Sequence, residues 1–218
     1  MSIKTKRILM SIFGVLICGI SVGMFKHARL GVDPFQSLMS GLNIVLPISF
    51  GTLYLAANVV LLLFSLIFDR KKIGIATLIN LTLLGYVAEF SQGICERIMP
   101  SLGLPGRVIL LLVAVLIMCV ASSLYFTADL GVSTYDAVSL VISQKNTRLP
   151  FRFWRIASDV ICVVLGIVLS LIGGGTMADI TANVGVGTII TAFFMGPLIQ
   201  FFNENVAAPM LRESSESR

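Results

Sequence analysis

The sequence RILMSIFGVLICGISVGMFKHARLGVDPFQSLMS (7–40) returns as RVILLLVAVLIMCVASSLYFTADLGVSTYDAVSL (107–140), and the two stretches align without a gap. Both contain the tripeptide Leu-Gly-Val, at 30–32 and at 130–132. A second match pairs GIATLIN (74–80) with GVGTIIT (185–191). The chain therefore contains one module twice, as a first repeat at 1–100 and a second repeat at 101–218. Repeated modules in membrane proteins usually build a cavity or pathway where they meet.

Composition places the chain in a membrane. Hydrophobic residues make up 56% of it, charged residues 12%, and its mean hydropathy is +0.97. Stretches of about 20 apolar residues are long enough to cross about 30 Å of hydrocarbon as helices. The sequence predicts six such spans, at 8–25, 51–68, 73–96, 107–127, 151–172 and 184–202. The first resembles a signal peptide, but its counterpart lies inside the chain, so we expect both to be retained.

The basic residues predict the orientation. If both termini are cytoplasmic, only Lys26, Arg29, Arg97 and Arg107 of the 16 Lys and Arg residues lie outside, which satisfies the positive-inside rule. Three spans per repeat is an odd number, so the second repeat must be inverted relative to the first. We therefore expect a multi-pass protein of the plasma membrane. The net charge of +5 indicates topology and contact with lipid headgroups, and not nucleic-acid binding.

A polar segment too short to cross the membrane follows the first span of each repeat. Asp33 and Ser133 are suited to cap a helix there, and Pro34 suits the first helical position. We expect each segment to form a short half-helix that either re-enters the membrane or lies flat at the interface. If the helix is longer than expected, it crosses the membrane completely. A re-entrant half-helix would direct its positive N-terminal end at a central cavity and favour an anionic or zwitterionic solute. The expected fold is all-α, with six transmembrane helices in two inverted three-helix repeats, each carrying one such half-helix.

Polar side chains in or beside the spans are the candidate substrate-binding residues, because burying them in lipid is costly. They are Asp33, Gln36, Asn58, Thr77, Asn80, Asp136, Asp159, Thr188 and Thr191. The alternative is that they form hydrogen bonds between helices and hold the repeats together. For Glu89 and its counterpart Gln200, which lie near span ends where water is reachable, we favour an ordinary structural role.

Signatures of catalysis do not occur in this sequence. Four cysteines, Cys18, Cys95, Cys119 and Cys162, are scattered through apolar segments without metal-ligand spacing. The chain has one histidine and neither a nucleophile elbow nor a phosphate-binding loop. We therefore expect neither enzymatic activity nor a cofactor or bound metal.

The repeated Leu-Gly-Val turns, SFGT (49–52) and MGPLIQ (195–200) resemble the YczE branch of the YczE/YyaS/YitT family of bacterial integral membrane proteins. The resemblance covers nearly the whole chain but implies no catalytic or binding residues. Members commonly carry an acidic residue where this chain has Gln36, whereas the second repeat keeps Asp136.

Three functions are compatible with these features. The first is a small-solute permease, with the lipid bilayer, a small solute and a second copy of the chain as its partners. The second is a substrate-capture subunit of an ATPase-driven importer, and the third is a non-transporting membrane accessory protein. The internal duplication favours the permease, because capture subunits do not generally show one.

Overall fold

The computed structural model describes residues 3–68, 73–145 and 151–211, and all regular structure in those ranges is helical. The helices are α1 (Ile3–Ala28), α2 (Pro34–Val45), α3 (Phe50–Phe68), α4 (Ile75–Ile98), α5 (Leu104–Ala128), α6 (Thr134–Lys145), α7 (Phe151–Ile172), α8 (Met177–Asn183) and α9 (Val186–Phe202). A π-helical turn, Asn203–Ala207, continues α9. The expected all-α fold is confirmed.

Five segments of the described chain are long and apolar enough to cross a membrane. They are α1, α3, α5, most of α7, and Met177–Leu211, which includes α9. They coincide with five of the predicted spans and indicate a multi-pass membrane protein. The remaining predicted span is α4, which has 24 residues. It contains polar residues, among them Asn80 and Glu89, and it is not among the five segments.

α1 and α5 form the centre of the molecule and run antiparallel. The Ser21 hydroxyl donates a hydrogen bond of 2.7 Å to the Ala114 carbonyl. Gly14, seven residues earlier in α1, packs against the Ala121 carbonyl, seven residues later in α5. Ser21 corresponds to Ala121 in the sequence alignment, and Gly14 corresponds to Ala114. Equivalent positions therefore make reciprocal contacts, as they do across a two-fold axis.

α4 packs in parallel beside α1, and α9 packs in parallel beside α5. The Ser91 hydroxyl donates to the Ile20 carbonyl over 2.9 Å, and the Asn203 amide donates to the Thr127 hydroxyl over 3.0 Å. In each repeat, the last long helix therefore runs parallel to the first.

Contacts between sequence-distant residues define two ends of the molecule. At one, which we call the Arg29 end, Arg29 forms an ion pair of 3.1 Å with Asp179. His27 lies 3.0 Å from the Met99 carbonyl at the same end. At the other, which we call the Lys6 end, the Lys6 ammonium donates to the Met210 carbonyl.

The two Leu-Gly-Val turns are bound to the opposite repeat through their backbones. Gly31 N–H donates to the Ala182 carbonyl over 3.1 Å, and Gly187 N–H donates to the Leu30 carbonyl over 2.7 Å. At the turn of the second repeat, the Leu130 carbonyl accepts a hydrogen bond of 3.1 Å from Ala76 N–H of the first repeat. Each turn thus binds the start of a long helix of the other repeat, α9 or α4.

Glycine is required at both turns. Gly31 and Gly131 have φ angles of 106° and 117°, which L side chains rarely adopt. A Cβ on Gly131 would lie 2.6 Å from the Gly74 nitrogen, and one on Gly31 would lie 2.6 Å from the Gly185 nitrogen. Strain and overlap therefore act together at each position.

We predict that Gly31→Ala and Gly131→Ala each lower the free energy of unfolding by about 1–3 kcal/mol. Thermal unfolding in detergent measures the loss. Gly196→Ala is the matched control, because a Cβ there meets no heavy atom within 4 Å and alanine is the better helix former. Equal melting temperatures for all three variants would contradict the role of the turns.

Candidate functional site

The two short helices begin as the sequence predicts. The Asp33 carboxylate accepts a hydrogen bond of 3.1 Å from Gln36 N–H, and Pro34 occupies the first turn of α2. In α6 the Ser133 hydroxyl accepts one of 3.1 Å from Asp136 N–H. Both predicted caps are confirmed. Each helix has 12 residues, about 18 Å at 1.5 Å per residue, which is too short to cross the hydrocarbon.

Both short helices pack between long helices. α2 packs mainly against α7 of the second repeat, and α6 packs against α3 of the first repeat and against α7. Most of the first two turns of α2 is buried. Their starts meet at equivalent residues, because the rings of Phe35 and Tyr135 stack with centroids 5.0 Å apart. The partial positive charges of two helix N-termini are therefore directed into one region between the repeats.

Arg155 of α7 is the centre of an ion network in that region. Its guanidinium donates to Asp136, and its Nε lies 3.4 Å from Asp159 Oδ1. The same guanidinium lies 4.5 Å from the centroid of the Tyr135 ring, and the Tyr135 hydroxyl donates to Asp159 over 2.7 Å. Ser133 donates to the other Asp136 oxygen over 2.7 Å. The three charged side chains are 19–33% exposed, so the network is largely buried.

Asp33 adds a third carboxylate from the first repeat. It lies close enough to Arg155 and Asp159 to interact electrostatically with both. Two carboxylates therefore contact the guanidinium and a third interacts with it at longer range, so carboxylates outnumber the cation in this region. We call Arg155, Asp136, Asp159, Asp33 and Tyr135 the Arg155 network.

Two further predicted site residues lie on the helices around this network. Asn58 of α3 is 1% exposed; its amide donates to the Tyr54 carbonyl over 2.8 Å and its oxygen accepts from the Thr134 hydroxyl. It therefore joins the first repeat to α6. Gln36 is 3% exposed, and its side-chain oxygen has no hydrogen-bond partner among the described residues.

The other predicted residues lie on α4 and α9, away from the network's hydrogen bonds. The Thr77 hydroxyl donates to the Val132 carbonyl over 2.7 Å and so holds the second Leu-Gly-Val turn. The Thr188 hydroxyl donates to the Asn183 carbonyl over 3.3 Å beside the first turn, and Thr191 donates to the Thr188 carbonyl over 3.0 Å. Asn80 is 8% exposed. The Thr77 bond joins the two repeats, as the structural alternative expects, whereas the bonds of Thr188 and Thr191 stay within the second repeat.

Sequence reasoning missed Arg155 and Tyr135 as site residues. Arg155 counted only toward the positive-inside bias, although Arg155 and Asp159 are four residues apart and therefore share a helix face. That spacing was the available signal for the pair. Nothing local in the sequence indicates that Asp136 joins them, because that contact depends on how α6 packs on α7.

We predict that Arg155→Gln lowers the free energy of unfolding by roughly 1.5–3 kcal/mol, because it leaves buried carboxylates without their charged partner. Adding Asp136→Asn and Asp159→Asn should recover part of this loss, since the neutral amides need no counter-ion. Thermal unfolding of the single, double and triple variants measures the coupling between these charges.

The control is Arg29→Gln, because the side chains of its ion pair, Arg29 and Asp179, are 46% and 39% exposed. We expect this variant to cost less than about 1 kcal/mol. A triple variant no more stable than Arg155→Gln would contradict the charge pairing.

Comparison with known proteins gives a family and two uncharacterized relatives. An uncharacterized protein of Haemophilus influenzae is 28% identical over 204 residues, which cover 93% of this chain and 85% of that protein. Uncharacterized protein YyaS of Bacillus subtilis is 22% identical over 189 residues, which cover 87% and 88%. No solved structure matches this chain. The profile of "Family of unknown function (DUF6198)" matches residues 5–204, and the chain therefore belongs to that family.

Proposed function

We propose that this protein is a small-solute membrane permease of the YczE branch, whose solute or coupling ion binds between two inverted repeats. The observation that carries the proposal is the Arg155 network at the meeting point of the two short capped helices. Ionisable groups among membrane-embedded helices are costly and usually mark solute, ion or proton pathways. Half-helices that begin near the membrane midplane are a common way to build such sites.

The proposed topology has six spans, with α4 as the third and both termini in the cytoplasm. The antiparallel pairing of α1 with α5 supports it, because a two-fold axis relating antiparallel spans lies in the membrane plane. The parallel packing of α4 beside α1 supports α4 as a span. The Arg29 end is then outside and the Lys6 end is inside.

Movement of one repeat against the other would change the proposed site. α2 packs on α7 and α6 packs on α3, so each short helix contacts a span of the opposite repeat. Asp33 belongs to the first repeat and Arg155 to the second, and their attraction acts across the interface. A solute ammonium or a proton bound at the carboxylates would weaken that attraction, which is how binding would bias the arrangement of the repeats.

Topology is tested by cysteine labelling in intact cells. The four native cysteines are at most 8% exposed, so their background labelling should be low. We predict that Ser101→Cys and Met177→Cys react with a membrane-impermeant maleimide added outside, whereas Glu204→Cys reacts only after permeabilisation. Labelling of Glu204→Cys in intact cells would overturn the six-span orientation.

Transport is tested by ligand screening followed by uptake into proteoliposomes. A ligand at hundredfold excess over its Kd stabilises the native state by about 2.7 kcal/mol, so thermal unfolding detects it. For any solute found, we predict that Asp136→Asn combined with Asp159→Asn lowers uptake at least about tenfold, about 1.4 kcal/mol in transition-state or binding free energy. Asp179→Asn, in the exposed ion pair, is the control and should retain uptake.

One result would contradict the proposed site, and two others would contradict the permease function. Wild-type uptake in the double Asn variant would exclude the Arg155 network as the site. Stoichiometric co-purification of ATPase subunits in mild detergent would indicate the capture subunit, and co-purification of an unrelated enzyme would indicate the accessory protein.

A further inference from the structure

Two adjoining cavities open beside α4 toward the Arg29 end, each with a volume of about 340 Å³. The first, which we call the Lys26 cavity, is lined by Lys26 of α1, Phe50 of α3, and Glu89 and Glu96 of α4. The second shares Glu89 and continues past Tyr86 toward Arg97. Both are open to the surface rather than enclosed, and their volume lies at the lower end of the range for small-molecule sites, about 300–1,000 Å³.

Charges of both signs line the Lys26 cavity without contacting each other. The Lys26 ammonium lies 3.4 Å from the centroid of the Phe50 ring and interacts electrostatically with Glu89 and Glu96. Within the described ranges, no ion pair joins Lys26 to either carboxylate. The face of the Phe50 ring attracts the Lys26 ammonium, but a carboxylate partner would attract it more strongly.

The two carboxylates are held in position by neutral donors. Glu89 Oε2 accepts a hydrogen bond of 3.0 Å from Gly51 N–H in the first turn of α3, where an acid is also favoured by the helix dipole. Glu96 Oε1 accepts one of 2.9 Å from the Gln92 amide. Each carboxylate has a second oxygen, and neither bond neutralises its charge. The cavity is therefore lined by one cation and two anions that are oriented before a ligand arrives.

Space between these groups is kept open by Gly93. It lines both cavities, and a Cβ at this position would meet no heavy atom within 4 Å. A larger side chain would therefore fit the fold while occupying the cavity.

We infer that the Lys26 cavity binds a small zwitterionic solute of the amino-acid type, with its carboxylate at Lys26 and its ammonium at Glu89 and Glu96. A simple amine would leave Lys26 without a counter-ion, and a simple carboxylate would leave the two glutamates without one. A zwitterion can give Lys26 a carboxylate partner while its ammonium is shared by the two glutamates, and neither a simple amine nor a simple carboxylate can do both. The role of this cavity as the outer binding step of transport rests on the proposed permease function and topology. Binding of the zwitterion does not depend on either.

The test uses solutes that vary the charge separation. Thermal unfolding of the purified protein is measured with glycine, β-alanine and γ-aminobutyrate, and with propylamine and propionate as singly charged analogues. We expect at least one of the three zwitterions to raise the melting temperature and neither analogue to do so. Lys26→Met, Glu96→Gln and Gly93→Leu should each weaken that zwitterion at least about tenfold, or abolish its effect.

Glu204→Gln is the matched control. Glu204 accepts a hydrogen bond of 3.0 Å from Gln200, four residues earlier, just as Glu96 accepts one from Gln92, but it lies toward the Lys6 end. This variant should bind the zwitterion as the wild type does. Gly93→Leu keeps every charged group, so it separates cavity occupation from any loss of folding caused by removing Lys26.

Several outcomes would overturn the inference: no stabilisation by any of the zwitterions, equal stabilisation by propylamine or propionate, or zwitterion binding unchanged by Gly93→Leu. The result is separable from the fate of the permease. Zwitterion binding that Gly93→Leu abolishes, without uptake into proteoliposomes, would support the cavity and contradict the permease. Uptake of another solute that depends on Asp136 and Asp159, without zwitterion binding, would support the permease and contradict the cavity.

Discussion

The fold depends on the backbone hydrogen bonds between each Leu-Gly-Val turn and the opposite repeat. A turn within a membrane protein has peptide groups that lipid cannot satisfy, so their partners must come from protein. Gly31 finds its partner in α8, Leu30 finds its partner at the start of α9, and Leu130 finds its partner at the start of α4. Because each repeat supplies what the other lacks, neither turn is satisfied within its own repeat. These bonds also fix where α2 and α6 begin.

The Arg155 network follows from that constraint. Once the starts of the short helices are fixed, Phe35 and Tyr135 stack, and Tyr135 contacts both Arg155 and Asp159. The duplication is not symmetric in charge, because the residues a hundred positions before Arg155 and Asp159 are Leu55 and Val59. The repeats therefore share a framework, while the ion pairs belong to the second repeat and only Asp33 reaches them from the first.

The Lys26 cavity shows the complementary asymmetry. Its charged residues, Lys26, Glu89 and Glu96, all belong to the first repeat, and the counterpart of Glu89 is the uncharged Gln200. Lys26 and Asp33 lie on either side of the connection between α1 and α2, so a short piece of chain links the cavity with the network. One duplicated framework thus carries two differently charged regions. The sequence-based expectation of an anionic or zwitterionic solute rested on helix dipoles, whereas the proposed zwitterion site rests on side chains.

The sequence by itself determined the local features of the chain. Hydropathy located the long helices, Asp33 with Pro34 and Ser133 marked the starts of the short ones, and the repeated motif revealed the duplication. The sequence did not determine which side chains meet. In a soluble protein, apolar periodicity shows which helix face is buried, but here lipid makes the outer face apolar as well. Only the tertiary structure therefore decided three features: the pairing of Arg155 with Asp136, the attachment of Thr77 to a turn, and the cavity at Glu89. Each of them depends on how helices distant in sequence pack together.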